Sequence, residues 1–387
     1  MSEIIHYDAE LYSYKKPKEW EPIGENNEKS KDVSGALKQY LIEMLGATNL
    51  IVLCGLGTSM CVKDSTKSEK SLCPSMTELW KTAQEKVGDK FQEVLKKVHY
   101  ESGDNIEELL SRCQMSEILL SDKAIKDFVE TTEKAVVEKC RFLKSDTNLE
   151  MHETFLRRIA RRSTKLERAK IFTTNYDTCF EQAARNTGFI FVDGFSHTLP
   201  QEFDSSYFDY DLVKRSEYKE TPDYIPNVFH LYKLHGSVDW EQKNNNRVFR
   251  NPETSKPLLI YPRNTKFETS YKPPFIDLMG RFQSCLRKPS TSLLVIGCGF
   301  NDNHIAQPIL SALRSNTEMK MMVVGSDLKK PDNPAIKIMT QLIQNGDPRI
   351  CLLKTEFEKF VPWIPDIVAT TEEEKYRARI QTSYGPF

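Results

Sequence analysis

The stretch Asn49-Leu50-Ile51-Val52-Leu53-Cys54-Gly55-Leu56-Gly57-Thr58-Ser59 decides the fold. Its almost unbroken apolar first half reads as a strand buried on both faces, which points to a parallel sheet. The glycines that follow make a tight turn whose backbone N–H groups and two hydroxyls suit a phosphate. Read without a ligand, the same turn is a plain strand-to-loop connection. It lacks the third glycine of the dinucleotide fingerprint, since Met60 precedes Cys61, and no Gly-Lys-Ser/Thr follows.

Two further apolar runs end in comparable turns, Thr173-Thr174-Asn175-Tyr176-Asp177 and Lys233-Leu234-His235-Gly236. Ligands of open α/β sheets bind outside the carboxyl ends of the strands, so the three turns are expected to converge on one crevice. Asn175 and Asp177 point over the strand ends or, alternatively, cap the following helix. His235 has the proton affinity of a base for water or a ribose hydroxyl, or is structural. His230 and His304 are assigned to structure. A second glycine-bearing strand end, Val295-Ile296-Gly297-Cys298-Gly299-Phe300-Asn301-Asp302, suits the other half of a dinucleotide through Gly297 and Gly299. A third, Val323-Val324-Gly325-Ser326-Asp327, offers an acid to a ribose diol or to a helix cap.

Outward from these motifs, strands are expected at 169–173, 189–192, 228–234, 258–261, 292–296, 320–325 and 349–353. Helices from Thr178, near 275–286, at 304–313 and at 335–344 lie between them. The fold class is therefore α/β, a doubly wound parallel, Rossmann-like sheet. Residues 76–165 carry helical faces only and read as a helical insertion. Residues 1–34 are polar and read as an extended arm, 196–226 as an active-site flap, and 356–387 as a tail ending in Tyr384-Gly385-Pro386-Phe387. The arm and that ending are the candidates for contacts with another chain.

Composition narrows the function. A net charge of −1 gives no global attraction for nucleic acid or an acidic membrane surface. The basic stretch Arg157, Arg158, Arg161, Arg162, Lys165 and Arg168 is either a solvated face or a local docking surface. Nine cysteines, an odd number with no pair at two-residue spacing, suggest reduced thiols in a cytoplasm and no zinc ribbon. No apolar run approaches the roughly 20 residues of a membrane span, and no leader-like segment opens the chain.

Taken in order, the glycine turn, Thr-x-Asn-x-Asp, His-Gly and the late Gly-x-Gly strand resemble the NAD-consuming sirtuin fold over about residues 45–330. Asp104-Asn105-Ile106-Glu107-Glu108-Leu109-Leu110 is similar to its bacterial antiphage branch. The resemblance implies a catalytic domain over 35–355 that hydrolyses NAD. In it, Gly55, Gly57, Thr58 and Ser59 surround the phosphates, Asn175 lies near the nicotinamide ribose, Asp177 meets the carboxamide, and His235 is the base. It also implies NAD as substrate, homo-oligomerisation and a HerA-like ATPase partner. The deacylase sirtuins carry a four-cysteine zinc module and a Pro-Asp-Phe-Arg segment, whereas Lys63 to Ser75 stand here, so no metal is expected. A sensing module that binds NAD or ADP-ribose without turnover, and a zinc-free deacylase, are the alternatives.

Overall fold

The computed structural model describes residues 9–24, 28–64, 70–101, 103–120, 122–215, 223–243, 246–260, 273–329 and 333–367. Its strands are, in chain order, β1 (Ala9–Ser13), β2 (Glu21–Ile23), β3 (Asn49–Cys54), β4 (Ala169–Thr173), β5 (Ile190–Val192), β6 (Val213–Lys214) and β7 (Asp223–Tyr224). There follow β8 (Val228–Lys233), β9 (Gly236–Gln242), β10 (Val248–Arg250), β11 (Pro257–Leu259), β12 (Thr291–Ile296), β13 (Lys320–Gly325) and β14 (Ile350–Lys354).

Nine of these strands form the central sheet in the order β2-β1-β14-β13-β12-β3-β4-β8-β5. From β14 to β5 every pairing is parallel, while β1 and β2 close one edge antiparallel. The result is a mixed α/β fold with a large, mostly parallel sheet, as a Rossmann-like sirtuin fold has. Every residue of β3, β4, β8 and β12 is buried, which is why their sequences are continuous apolar runs. The two-residue period of a strand divides them between two cores. Ile51 and Leu53 join the face covered by helices Phe275–Leu286, Asn303–Ser315 and Pro334–Gln344. Leu50, Val52 and Cys54 join the face covered by helices Glu28–Gly46, Glu150–Ile159 and Cys179–Thr187.

Between β3 and β4, helices Met76–Val87, Lys90–Lys97, Ile106–Leu120 and Lys123–Cys140 enclose a third core around Phe91, Ile106, Leu110 and Phe128. The helix Met76–Val87 begins with a full capping box, Ser75 and Glu78 bonding each other's backbone N–H. Helix Glu150–Ile159 belongs instead to the sheet, through Phe155, Leu156 and Ile159.

Four expectations are corrected. Residues 9–13 and 21–23 are strands of the central sheet rather than an extended arm, because Leu11 and Tyr12 find buried places beside β14. Residues 258–259 belong to a separate three-stranded antiparallel sheet, β10-β9-β11, and β9 and β10 were not expected at all. Part of the segment read as a flap packs inward. Phe203 and Phe208 pack with Phe195, Trp240 and Tyr232, and no described residue of 196–226 lines the central crevice. The tail begins with buried Phe357, Phe360 and Val361, and residues 368–387, with Tyr384 to Phe387, lie outside the described residues.

Candidate active site

The connections leaving β3 and β12 diverge, because β4 and β8 lie on one side of β3 while β12, β13 and β14 lie on the other. Such a switch point opens a crevice at the carboxyl ends of the strands. The two glycine turns meet there. Gly57 N donates to Gly297 O at 3.1 Å, and Gly55 N to Ile296 O at 2.9 Å. A Cβ added to Gly57 would stand 2.6 Å from Gly297 Cα. Gly297 has φ +61° and would bring a Cβ 2.6 Å from Gly57 Cα. These glycines therefore make room for each other's backbone, a different demand from the close approach of a phosphate.

A polar frame stands beside the turn. Asn175 Nδ2 donates to Gly55 O at 3.0 Å, Thr58 Oγ1 at 3.2 Å and Ser59 Oγ at 2.8 Å. Ser59 Oγ donates to Asp177 Oδ2 at 2.7 Å, and Asp177 Oδ1 accepts from Cys179 N at 3.0 Å at the start of its helix. Thr58, Ser59, Asn175 and Asp177 are all buried. The hydroxyls expected on phosphates are thus engaged within the protein, and both oxygens of Asp177 have partners as in a helix cap. Beneath the turn lies a buried cation, Lys233. Its Nζ donates to Asp177 O and pairs with Glu181 at 3.0 Å. Burial pushes the Glu181 carboxyl up against the pull of Lys233. Burial works against the Lys233 charge, yet Glu181, Asp239 and Asp177 raise its pKa overall.

Asn175, Asp177, His235, Gly55, Gly297 and Gly299 line one cavity of about 210 Å³, closed on its far side by Cys73, Met76 and Cys140 of the helical region. A second cavity of about 720 Å³ continues from it, sharing Leu56, Gly297, Cys298, Gly299 and Asn301, and containing Gly57. Asp327, Thr355 and Glu356 stand on its wall. Thr355 is 4% exposed and its hydroxyl has no partner among the described residues, a demand that a polar ligand would satisfy. Both cavities lie within or near the size range of small-molecule sites. The sequence marked Asp327 but missed Thr355 and Glu356, which follow β14 without a motif.

His235 is 3% exposed, and its Nε2 lies 2.9 Å from Nε2 of His304. Asp302 Oδ2 is 4.0 Å away. His304, assigned to structure from the sequence, thus stands against the residue expected to act as base. His230 is a core residue, its Nδ1 at 3.2 Å from Tyr232 Oη and its pKa lowered by burial to about 4. Several residues of the basic stretch are engaged within the protein. Arg158 donates to the carbonyls of Val361, Pro362 and Ile364, Arg162 to those of Leu45 and Ala47, and Arg168 pairs with Asp211.

A mostly parallel sheet with a polar crevice at its switch point is the arrangement in which α/β proteins bind nucleotides. A SIR2-like domain model matches residues 169–339, a span that holds Asn175, Asp177, His235, Gly297, Gly299 and His304. The match supports a sirtuin-like family with NAD-related binding, and it is consistent with an NAD-dependent enzyme. The comparison with curated proteins returned no match. Among the described residues no helix is long and apolar enough to cross a membrane.

Proposed function

We propose that the chain is an NAD glycohydrolase, cleaving NAD to nicotinamide and ADP-ribose. The observation that carries this reading is the shared cavity of Asn175 and His235 at the switch point, continuous with a larger cavity suited to the adenosine half. Cleavage of the nicotinamide–ribose bond leaves an oxocarbenium-like carbon, so a site must hold the sugar, release a neutral base and present water to the open face. Asn175 positions that water or the ribose, and His235 takes the proton. Proton transfer alone supplies about 10²–10⁴-fold. The narrow first cavity takes the nicotinamide ribose; the pyrophosphate runs along the wall made by the interlocked turns of Gly55 and Gly57 and of Gly297 and Gly299, with Thr58, Ser59 and Asp177 holding that wall in shape.

The same reading includes control by assembly, as a homo-oligomer with a HerA-like ATPase partner in antiphage defence, because unrestrained NAD cleavage would drain a central metabolite. The test is chromatography of NAD incubated with the protein, alone and with such an ATPase, beside His235→Ala and Asn175→Ala. Nicotinamide released by the wild type and by neither variant supports the enzyme. NAD that stays bound and intact under every condition overturns it in favour of a sensing module, and turnover that requires an acyl-lysine peptide overturns it in favour of a deacylase.

A further inference from the structure

His304 sits in the first turn of helix Asn303–Ser315, where its ring lies tilted by 37° against that of His235 with centroids 5.0 Å apart. Two ring nitrogens 2.9 Å apart must share a proton, one donating and the other accepting. The pair therefore takes up a first extra proton far more readily than a second, and titrates as a unit. Asp302 is the residue before this helix, where an aspartate ordinarily bonds the first free amides. Here its side chain makes no cap hydrogen bond and forms part of the cavity wall instead. His235 is sealed in the cavity, whereas His304 is half-buried. The two rings thus step from the interior toward solvent.

We propose that His304 and Asp302 are positioning residues that make His235 the inner end of a proton relay; this rests on the glycohydrolase reading. In the reaction a water O–H bond breaks, its oxygen bonds to the ribose carbon, and the electron pair of the carbon–nitrogen bond leaves with nicotinamide. The proton passes to His235, across the Nε2–Nε2 hydrogen bond to His304, and out to solvent. Asp302 stabilises the singly charged pair. Around it, Asp177 and Tyr176 on the turn after β4, Cys298 after β12, Cys73 before helix Met76–Val87 and Cys140 at the end of helix Lys123–Cys140 are the other titratable groups of the cavity among the described residues. Burial pushes both the Cys73 and Cys140 thiols up, so they stay uncharged near neutral pH. Asp177 is bonded to Ser59 and Cys179, and Lys233 behind it is held by Glu181.

The test is ¹⁵N NMR of the histidine rings across pH in the wild type, His304→Ala, His304→Gln and Asp302→Asn, with kcat and the NAD dissociation constant of each. The relay predicts two well-separated titration steps for His235, collapsing to one in both His304 variants. In Asp302→Asn the first step moves down by roughly one pH unit, and the acid limb of kcat moves with it. His304→Ala lowers kcat on the order of 10²-fold at unchanged NAD affinity, and added imidazole restores part of the rate. A His235 titration unaltered by all three changes overturns the relay. So does a loss of kcat matched by a loss of NAD binding and untouched by imidazole. Coupled titration in a protein that cleaves NAD under no condition would uphold the shared proton and overturn the glycohydrolase reading alone.

Discussion

His235 and His152 are both almost sealed from solvent, at 3% and 0% exposure, yet their surroundings differ in kind. His235 ends a central strand at the wall of a cavity, with a second imidazole and a carboxylate aimed at one of its nitrogens. His152 lies on the buried face of helix Glu150–Ile159 between Phe180 and Phe357, with ring centroids 5.3 and 5.2 Å away. Neither of its nitrogens has a partner among the described residues. Burial alone holds its pKa down to about 4, so the ring stays neutral and behaves as an aromatic spacer. Depth therefore does not mark a site. What does is the convergence of groups able to exchange a proton beside a space that a ligand can enter.

The contrast breaks most directly by substitution. His235→Ala is expected to lower nicotinamide release by about 10²–10⁴-fold with the unfolding midpoint little changed, while His152→Leu leaves the rate within about twofold because it touches no reacting group. A folded His152→Leu protein without turnover would erase the division. Next in size is Gly297→Ala. Its positive φ costs about 1–2 kcal/mol for any other residue, and a Cβ 2.6 Å from the Gly57 backbone adds about 1–3 kcal/mol of overpacking. Urea denaturation should show a loss of roughly 3 kcal/mol, together with lost NAD binding, since the residues that follow carry Asp302 and His304. Unchanged stability would mean the two turns are not locked together.

How much of this was legible in the sequence depends on where each residue's partner lies. β3, β4 and β13 could be read to the residue because two-sided burial writes them as apolar runs bounded by Gly, Thr and Asn. β1 and β2 could not, since both are short and Glu10 and Glu21 dilute the apolar pattern. β9 did carry a signal, the alternation of Val238 and Trp240 with polar residues. The aromatic residues Phe203 and Phe208 likewise hinted that the long polar segment packs inward. The meeting of Asn175, Asp177 and His235 at one cavity was legible because ligand crevices of an α/β sheet open at its strand ends. His304 was not, because its partner is 69 residues away and nothing in local spacing encodes that meeting.

Acid sharpens the comparison from the core side. The pKa of His152 is depressed on folding from 6.5 to about 4, so its contribution to stability is present above pH 6.5 and is lost as pH falls toward 4. By linkage that loss amounts to about 3 kcal/mol. His230, also lowered to about 4, acts in the same window. In His152→Leu the unfolding free energy should fall less steeply between those pH values, and an unchanged slope would show that the ring is not held neutral.

The smallest effect belongs to the polar frame. Ser59→Ala removes the hydroxyl that donates to Asp177 Oδ2 and accepts from Asn175 Nδ2. Asn175 keeps Gly55 O and Thr58 Oγ1, and Asp177 keeps the amide of Cys179, so neither side chain is stranded. The cost in urea denaturation should therefore be about 1–2 kcal/mol, the lower part of the range for a buried hydrogen bond lost from one side. Because the frame holds the cavity wall while the imidazole pair moves the proton, the pH profile of kcat should keep its shape and only NAD affinity should fall. A shifted acid limb in Ser59→Ala would join Asp177 to the proton path and dissolve the separation between a fixed frame and a titrating pair.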